Sequence, residues 1–165
     1  MTIATSRVVT IAAVLASCWS VPDVDRQLVR RWLDCVDCTG GELAGLVAKG
    51  ERLVPYLASA LREGPTASDD SLADRRAVEA IARATRYRQR HGVAPALSSA
   101  DSSNAVRAQR DEYSLTYRLR AAQAFFRIDS LGAARAVSEY CSSAAPELQR
   151  HPEYRSSFAR LGPCP

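Results

Sequence analysis

Aromatic residues make up only 7% of this 165-residue chain, which holds one lysine (Lys49), one methionine and two histidines. Each scarcity closes off a reading. His91 and His151 are not spaced as His-x-x-x-His, so a helix-borne zinc pair is excluded, and no glycine loop is built to cradle phosphate. No Gly-x-Ser-x-Gly elbow marks a hydrolase nucleophile. Nowhere do apolar and polar residues alternate over five or more positions with β-branched content, so no sheet is expected. No apolar run reaches the ~20 residues of a membrane span.

What is present points to helices. The chain is 47% hydrophobic, led by Ala, Leu and Val, with Gly and Pro at segment ends, a composition that favours an all-α fold. Its 22 basic and 18 acidic residues leave a net charge of +4. That excess is mild, and nucleic-acid binders carry a concentrated basic face, so no nucleic-acid partner is expected.

Near the N-terminus, Arg7 precedes the apolar stretch Val8 to Ala16, the pattern of a signal peptide's central region. Leu15-Ala16-Ser17-Cys18 then resembles the lipobox of bacterial lipoproteins. The resemblance implies removal of residues 1–17, acylation of Cys18, a short tether over 18–22 and a single domain over 23–165. Two or more acyl chains exceed the threshold for stable anchoring, so the mature protein would be held on the membrane without crossing it. The expected location is the bacterial cell envelope, facing the periplasm or the exterior. An ordinary secretory peptide cleaved near Ser20, giving a soluble product, and an uncleaved or cytosolic chain are the alternatives.

Along the chain, Asp23 can cap a helix carrying Val24, Leu28 and Trp32, and Gly40-Gly41 breaks the pattern. A second helix runs from about Glu42 to Ala48 and stops at Gly50. Pro55 belongs in the first turn of a third, which ends at Gly64-Pro65. Thr66 to Ser71 reads as a polar loop. A longer helix from Ala73 to about Arg90 should turn Ala77, Val78, Ile81, Ala82 and Thr85 inward. A connector over 94–103 leads to a long helix capped by Ser102 or Ser103 and ending near Ile128. Helices at Leu131–Ser143, with Ala134, Val137 and Cys141 inward, and at Pro152–Leu161 complete the reading.

Two hairpins look alike when aligned by their turns. Glu42 to Gly50 leads into Leu53-Val54-Pro55-Tyr56-Leu57, and Arg120-Ala121-Ala122 to Ile128-Asp129 leads into Ala133-Ala134-Arg135-Ala136-Val137. Both are similar to phrases of the HEAT repeat. The segment Cys35-x-x-Cys38-x-x-Gly41-Glu42-Leu43 also resembles an uncharacterised group of exported bacterial HEAT-like proteins. The resemblance implies a short α-solenoid or a compact bundle of antiparallel helical hairpins. Such stacks present extended concave surfaces that suit protein partners.

Export leaves Cys35, Cys38, Cys141 and Cys164, an even set in an oxidising compartment. Three pairings are possible, and spacing favours Cys35 with Cys38 and Cys141 with Cys164. Cys35-x-x-Cys38 also has the spacing of a redox centre. Redox folds set the pair at a strand-to-helix junction, and no strand is expected here. Asp34 and Asp37 would raise the thiol pKa values, partly offset by Arg30 and Arg31. Zinc with His91 or His151 would need a second close-spaced ligand set, and haem attachment would need His where Thr39 stands.

Arg83, Arg86, Arg88 and Arg90 run without an evident balancing acid and could touch anionic lipid head groups. Asp69-Asp70 and Asp111-Glu112 are adjacent pairs, which point to different sides of a helix. Tyr113, Tyr117, Phe125 and Phe126 read as core. The sequence therefore predicts no catalytic residue, metal or cofactor. It predicts an envelope binding or scaffolding module with an unknown protein partner, the alternative being a thiol–disulfide redox protein using Cys35 and Cys38.

Overall fold

The computed structural model describes residues 24–35, 38, 40–92 and 99–165. Eight helices and one 3-10 turn account for them, with no strand among the described residues. They are α1 (Val24–Asp34), α2 (Gly40–Val47), the 3-10 turn Gly50–Leu53, α3 (Val54–Glu63), α4 (Ala67–His91), α5 (Ser99–Ile128), α6 (Ser130–Ser143), α7 (Ala145–Arg150) and α8 (Pro152–Ala159). The fold is all-α. The expected leader with Arg7, the tether with Cys18 and the capping residue Asp23 lie outside the described residues.

Helix α5 organises the packing. It meets α1, α2, α3, α4, α6 and α8, so contacts run well beyond neighbours in sequence. Its buried face is built from Leu115, Ala121, Ala122, Ala124 and Phe125, and three alanines there let partner helices approach closely. Leu57 and Leu61 of α3, Val137 of α6 and Phe158 of α8 join the same core. Asp69 lies near Tyr117 while Asp74 pairs with Arg110, so the chain advances along α4 as it retreats along α5, which makes these two helices antiparallel.

Two arginines on α5 hold other helices by their ends. The last carbonyls of a helix have no partner within it. Arg118 donates to the carbonyls of Leu61 at 2.7 Å, Arg62 at 2.6 Å and Glu63 at 3.1 Å, closing the end of α3. Arg120 donates to the carbonyls of Leu33 and Cys35, closing the end of α1. Both cations also sit where the helix dipole is negative. Arg118 lies over the Tyr140 ring, 5.2 Å from its centroid. The turn beneath it needs Gly64, whose φ is +76° and where a Cβ would overlap the Arg118 guanidinium.

Several element boundaries differ from expectation for identifiable reasons. Helix α4 starts at Ala67, because Thr66 and Asp69 form a capping box and convert most of the expected polar loop into helix. Only Asp69, Ala73 and Ala77 of α4 are buried. Val78, expected inward, is 55% exposed, and Ile81, Ala82 and Thr85 are half-buried. Twenty-five residues make a helix of about 37 Å, so its second half outruns the core. Helix α5 begins at Ser99, ahead of the expected cap, since nothing between 99 and 103 stops a helix. Helix α6 buries Ala133 and leaves Ala134 half-buried. Helix α7 was not foreseen; Pro146 opens it and Leu148 anchors it in the core.

Candidate functional site

Asp69 is the single charged side chain buried among the described residues, at 1% exposure. It lies at the start of α4, where its Oδ2 accepts from the Thr66 N–H at 2.9 Å and the Thr66 hydroxyl at 2.6 Å. Its Oδ1 is paired with Arg30 of α1. Arg30 Nε in turn lies 3.6 Å from Asp34 Oδ2, and the Tyr113 hydroxyl of α5 donates to Asp34 Oδ1 at 2.7 Å. One chain of polar contacts thus ties α1, α4 and α5 together.

Beside this chain opens a cleft of about 270 Å³ between α1, α3 and the start of α4. Arg26 and Arg30 line one wall, and Tyr56, Ser59 and Glu63 the other. Asp69 and Tyr117 close it below. Two guanidinium groups face two carboxylates, so the lining is formally neutral and offers both donors and acceptors. The Glu63 carboxylate makes no ion pair among the described residues. Tyr117, 6% exposed, has no hydrogen-bond partner for its hydroxyl among them.

The electrostatics favour holding over catalysis. Burial pushes the Asp69 carboxyl up, but the Thr66 hydroxyl and N–H and the Arg30 guanidinium outweigh it and hold it below the usual carboxylate value. A carboxylate held down is a poor general base, although the Thr66 hydroxyl lies within its reach. Burial, with the negative charges of Asp34 and Asp69, pushes the Tyr117 phenol up to about 12 against the opposing pull of Arg30. It therefore stays protonated at neutral pH, a donor that reaches the solvent of the cleft.

The cysteines lie elsewhere. Cys35 and Cys38 are joined at the junction of α1 and α2, and Cys141 to Cys164, fastening the C-terminal tail to α6. Cys141 is buried, and both cysteines of the first pair are half-exposed. Glu42 places a carboxylate oxygen within 4.8 Å of both sulfurs of that pair, the one metal-capable group among the described residues. While the sulfurs are bonded to each other they are not thiolate ligands. His91 stacks on Tyr87 and His151 faces Tyr154, and neither joins this group.

The arginine run is not free of acid. Glu79 lies 3.8 Å from Arg83, which corrects that expectation. With about 100° per residue, Arg83, Arg86 and Arg90 share a face and Arg88 lies well off it. Of the aromatic set, Tyr117 and Phe125 are buried while Tyr113 and Phe126 are half-buried. Of the adjacent carboxylates, Asp69 turns into the core and Asp70 is half-buried, while Asp111 reaches toward Arg150 at 3.9 Å. Sequence reasoning weighed Asp69 only as half of an adjacent carboxylate pair and not as a buried group. The Thr66-x-x-Asp69 spacing ahead of an apolar stripe was the available signal. Comparison with known protein families, curated proteins and solved structures finds no match to this chain.

Proposed function

We propose that the chain is an exported binding module of the bacterial cell envelope, anchored through an acylated Cys18, that takes a protein partner in the α1–α3 cleft. In this reading the α2–α3 and α5–α6 hairpins supply a HEAT-like frame, and the Cys141–Cys164 bridge braces it outside the cytoplasm. The observation that carries it is Tyr117. Its protonated hydroxyl is not among the buried unpartnered polar atoms, so it reaches the solvent of the cleft and is open to an incoming acceptor that would take the place of water.

A photo-crosslinking residue at Ser59 tests this. It should capture one discrete protein in intact cells, and capture should fall in a Tyr117→Phe background. The same probe at Arg135, exposed on α6, should capture nothing. Equal capture at both positions, or none at Ser59, would refute the assignment.

A second reading is thiol–disulfide exchange at Cys35 and Cys38, favoured by the half-exposure of that pair. A dithiol potential below about −300 mV identifies an inert staple, and a more oxidising value supports redox work.

A further inference from the structure

A second cavity, separate from the cleft, lies between α1 and α2 and has a volume of about 310 Å³. Leu28, Trp32 and Leu46 supply its apolar surface, and Arg31, Lys49 and Glu42 stand at it as well. Arg31 and Lys49 are exposed and have no ion-pair partner among the described residues, whereas Glu42 is already engaged. The cavity, open on one side, therefore joins an apolar floor to a rim of two positive charges and one negative, a net charge of +1. We propose that it binds a small amphipathic anion, a straight-chain carboxylate of about six to eight carbons.

Size and charge both enter. An apolar cavity of about 150 Å³ holds a benzene molecule, so about twice that volume accepts a medium alkyl chain. The carboxylate is left at the opening with Arg31 and Lys49, where it stays partly hydrated and avoids the penalty of full burial. A neutral ligand of the same length forgoes that attraction, and an ammonium meets repulsion. The Cys35–Cys38 bridge adjoins the cavity through Cys38, so the wall carrying these residues is tied across its end.

Gly45 makes the idea testable without damaging the fold. It lines the cavity, and a Cβ built on it meets nothing within 4 Å. Gly45→Met thus fills the space from within a helix, where replacing glycine also favours the folded state. In the chain bearing Trp19→Phe, Trp32 is the sole tryptophan, and its emission reports occupancy.

Titration with hexanoate, heptanoate and octanoate should give saturable changes, tightening about fourfold per added methylene. Octanol and octylammonium should bind about tenfold more weakly or worse. The double variant Arg31→Met with Lys49→Met should bring octanoate down to the octanol level. Gly45→Met should abolish the response while keeping the melting temperature at or above that of the parent. No saturable response to octanoate, equal binding of the three charge types, or full binding by the folded Gly45→Met chain would each overturn the proposal.

Discussion

Removing the Asp69 side chain should test the central polar chain most directly. Asp69→Ala deletes two hydrogen bonds to Thr66 and the pair with Arg30. A helix cap is worth about 1 kcal/mol and a charge-assisted hydrogen bond about 1.5–3 kcal/mol. The Arg30 side chain is 49% exposed, so it returns to water and is not stranded as a buried charge, which keeps the loss below the ~3–5 kcal/mol of a broken buried pair. The expected cost is about 2–3 kcal/mol, or roughly 4–12 °C in melting temperature. Asp69→Asn keeps an acceptor for Thr66 but loses the charge, and should cost about half as much.

Acid separates the two contributions. Asp69 binds its proton less readily in the folded chain than in the unfolded one. Its ionised form therefore stabilises the fold fully above the unfolded value, near 3.9, and that stabilisation is lost as pH falls through the lower folded value. Thermal melts followed by circular dichroism at pH 7 and at successively lower pH should show the wild-type advantage over Asp69→Asn shrinking on acidification. An Asp69→Ala chain within 0.5 kcal/mol of wild type, on the order of an ordinary surface change, or a gap indifferent to pH, would refute the reasoning.

Four further outcomes are expected. Gly64→Ala should cost about 2 kcal/mol or more in chemical denaturation, since it places a side chain at a φ of +76° and against Arg118; a neutral result would mean that Arg118 does not close α3. Cys141→Ser should lower stability by roughly 3 kcal/mol, because its bridge spans 23 residues and the chain-entropy argument gives that value; an equal melting temperature with and without reductant would contradict it. Val78→Lys should change stability by less than about 0.5 kcal/mol, as that side chain faces solvent, and a large loss in a melt would return Val78 to the core. Cys18→Ala should abolish palmitate labelling in cells and release the chain from membranes; unlabelled wild type would end the lipoprotein reading.

Periodicity made most of the helices legible, because glycine and proline punctuate this chain sharply. Gly50 has the expected left-handed φ of +69°, and Pro55 sits in the first turn of α3. Cysteine spacing pointed to the pairs that lie together. Asp69 was hidden because its environment depends on Arg30, 39 positions away, and no local pattern carries that distance. Val78 followed the stripe of Ala73 and Ala77, yet a stripe does not reveal where the neighbouring helices end. Arg118 and Arg120 looked like any other surface arginine of an arginine-rich chain. The cleft inherited the same difficulty, since α1, α3, α4 and α5 each contribute to it and no segment reads as a motif.

Clasping two foreign carbonyl termini from one rod has a mechanical consequence. Arg118 and Arg120 stand two positions apart on α5, so sliding that rod by even one residue, about 1.5 Å, must unfasten both grips together. The final turns of α1 and α3 are then expected to exchange their amide hydrogens in step with the heart of the molecule, instead of fraying independently.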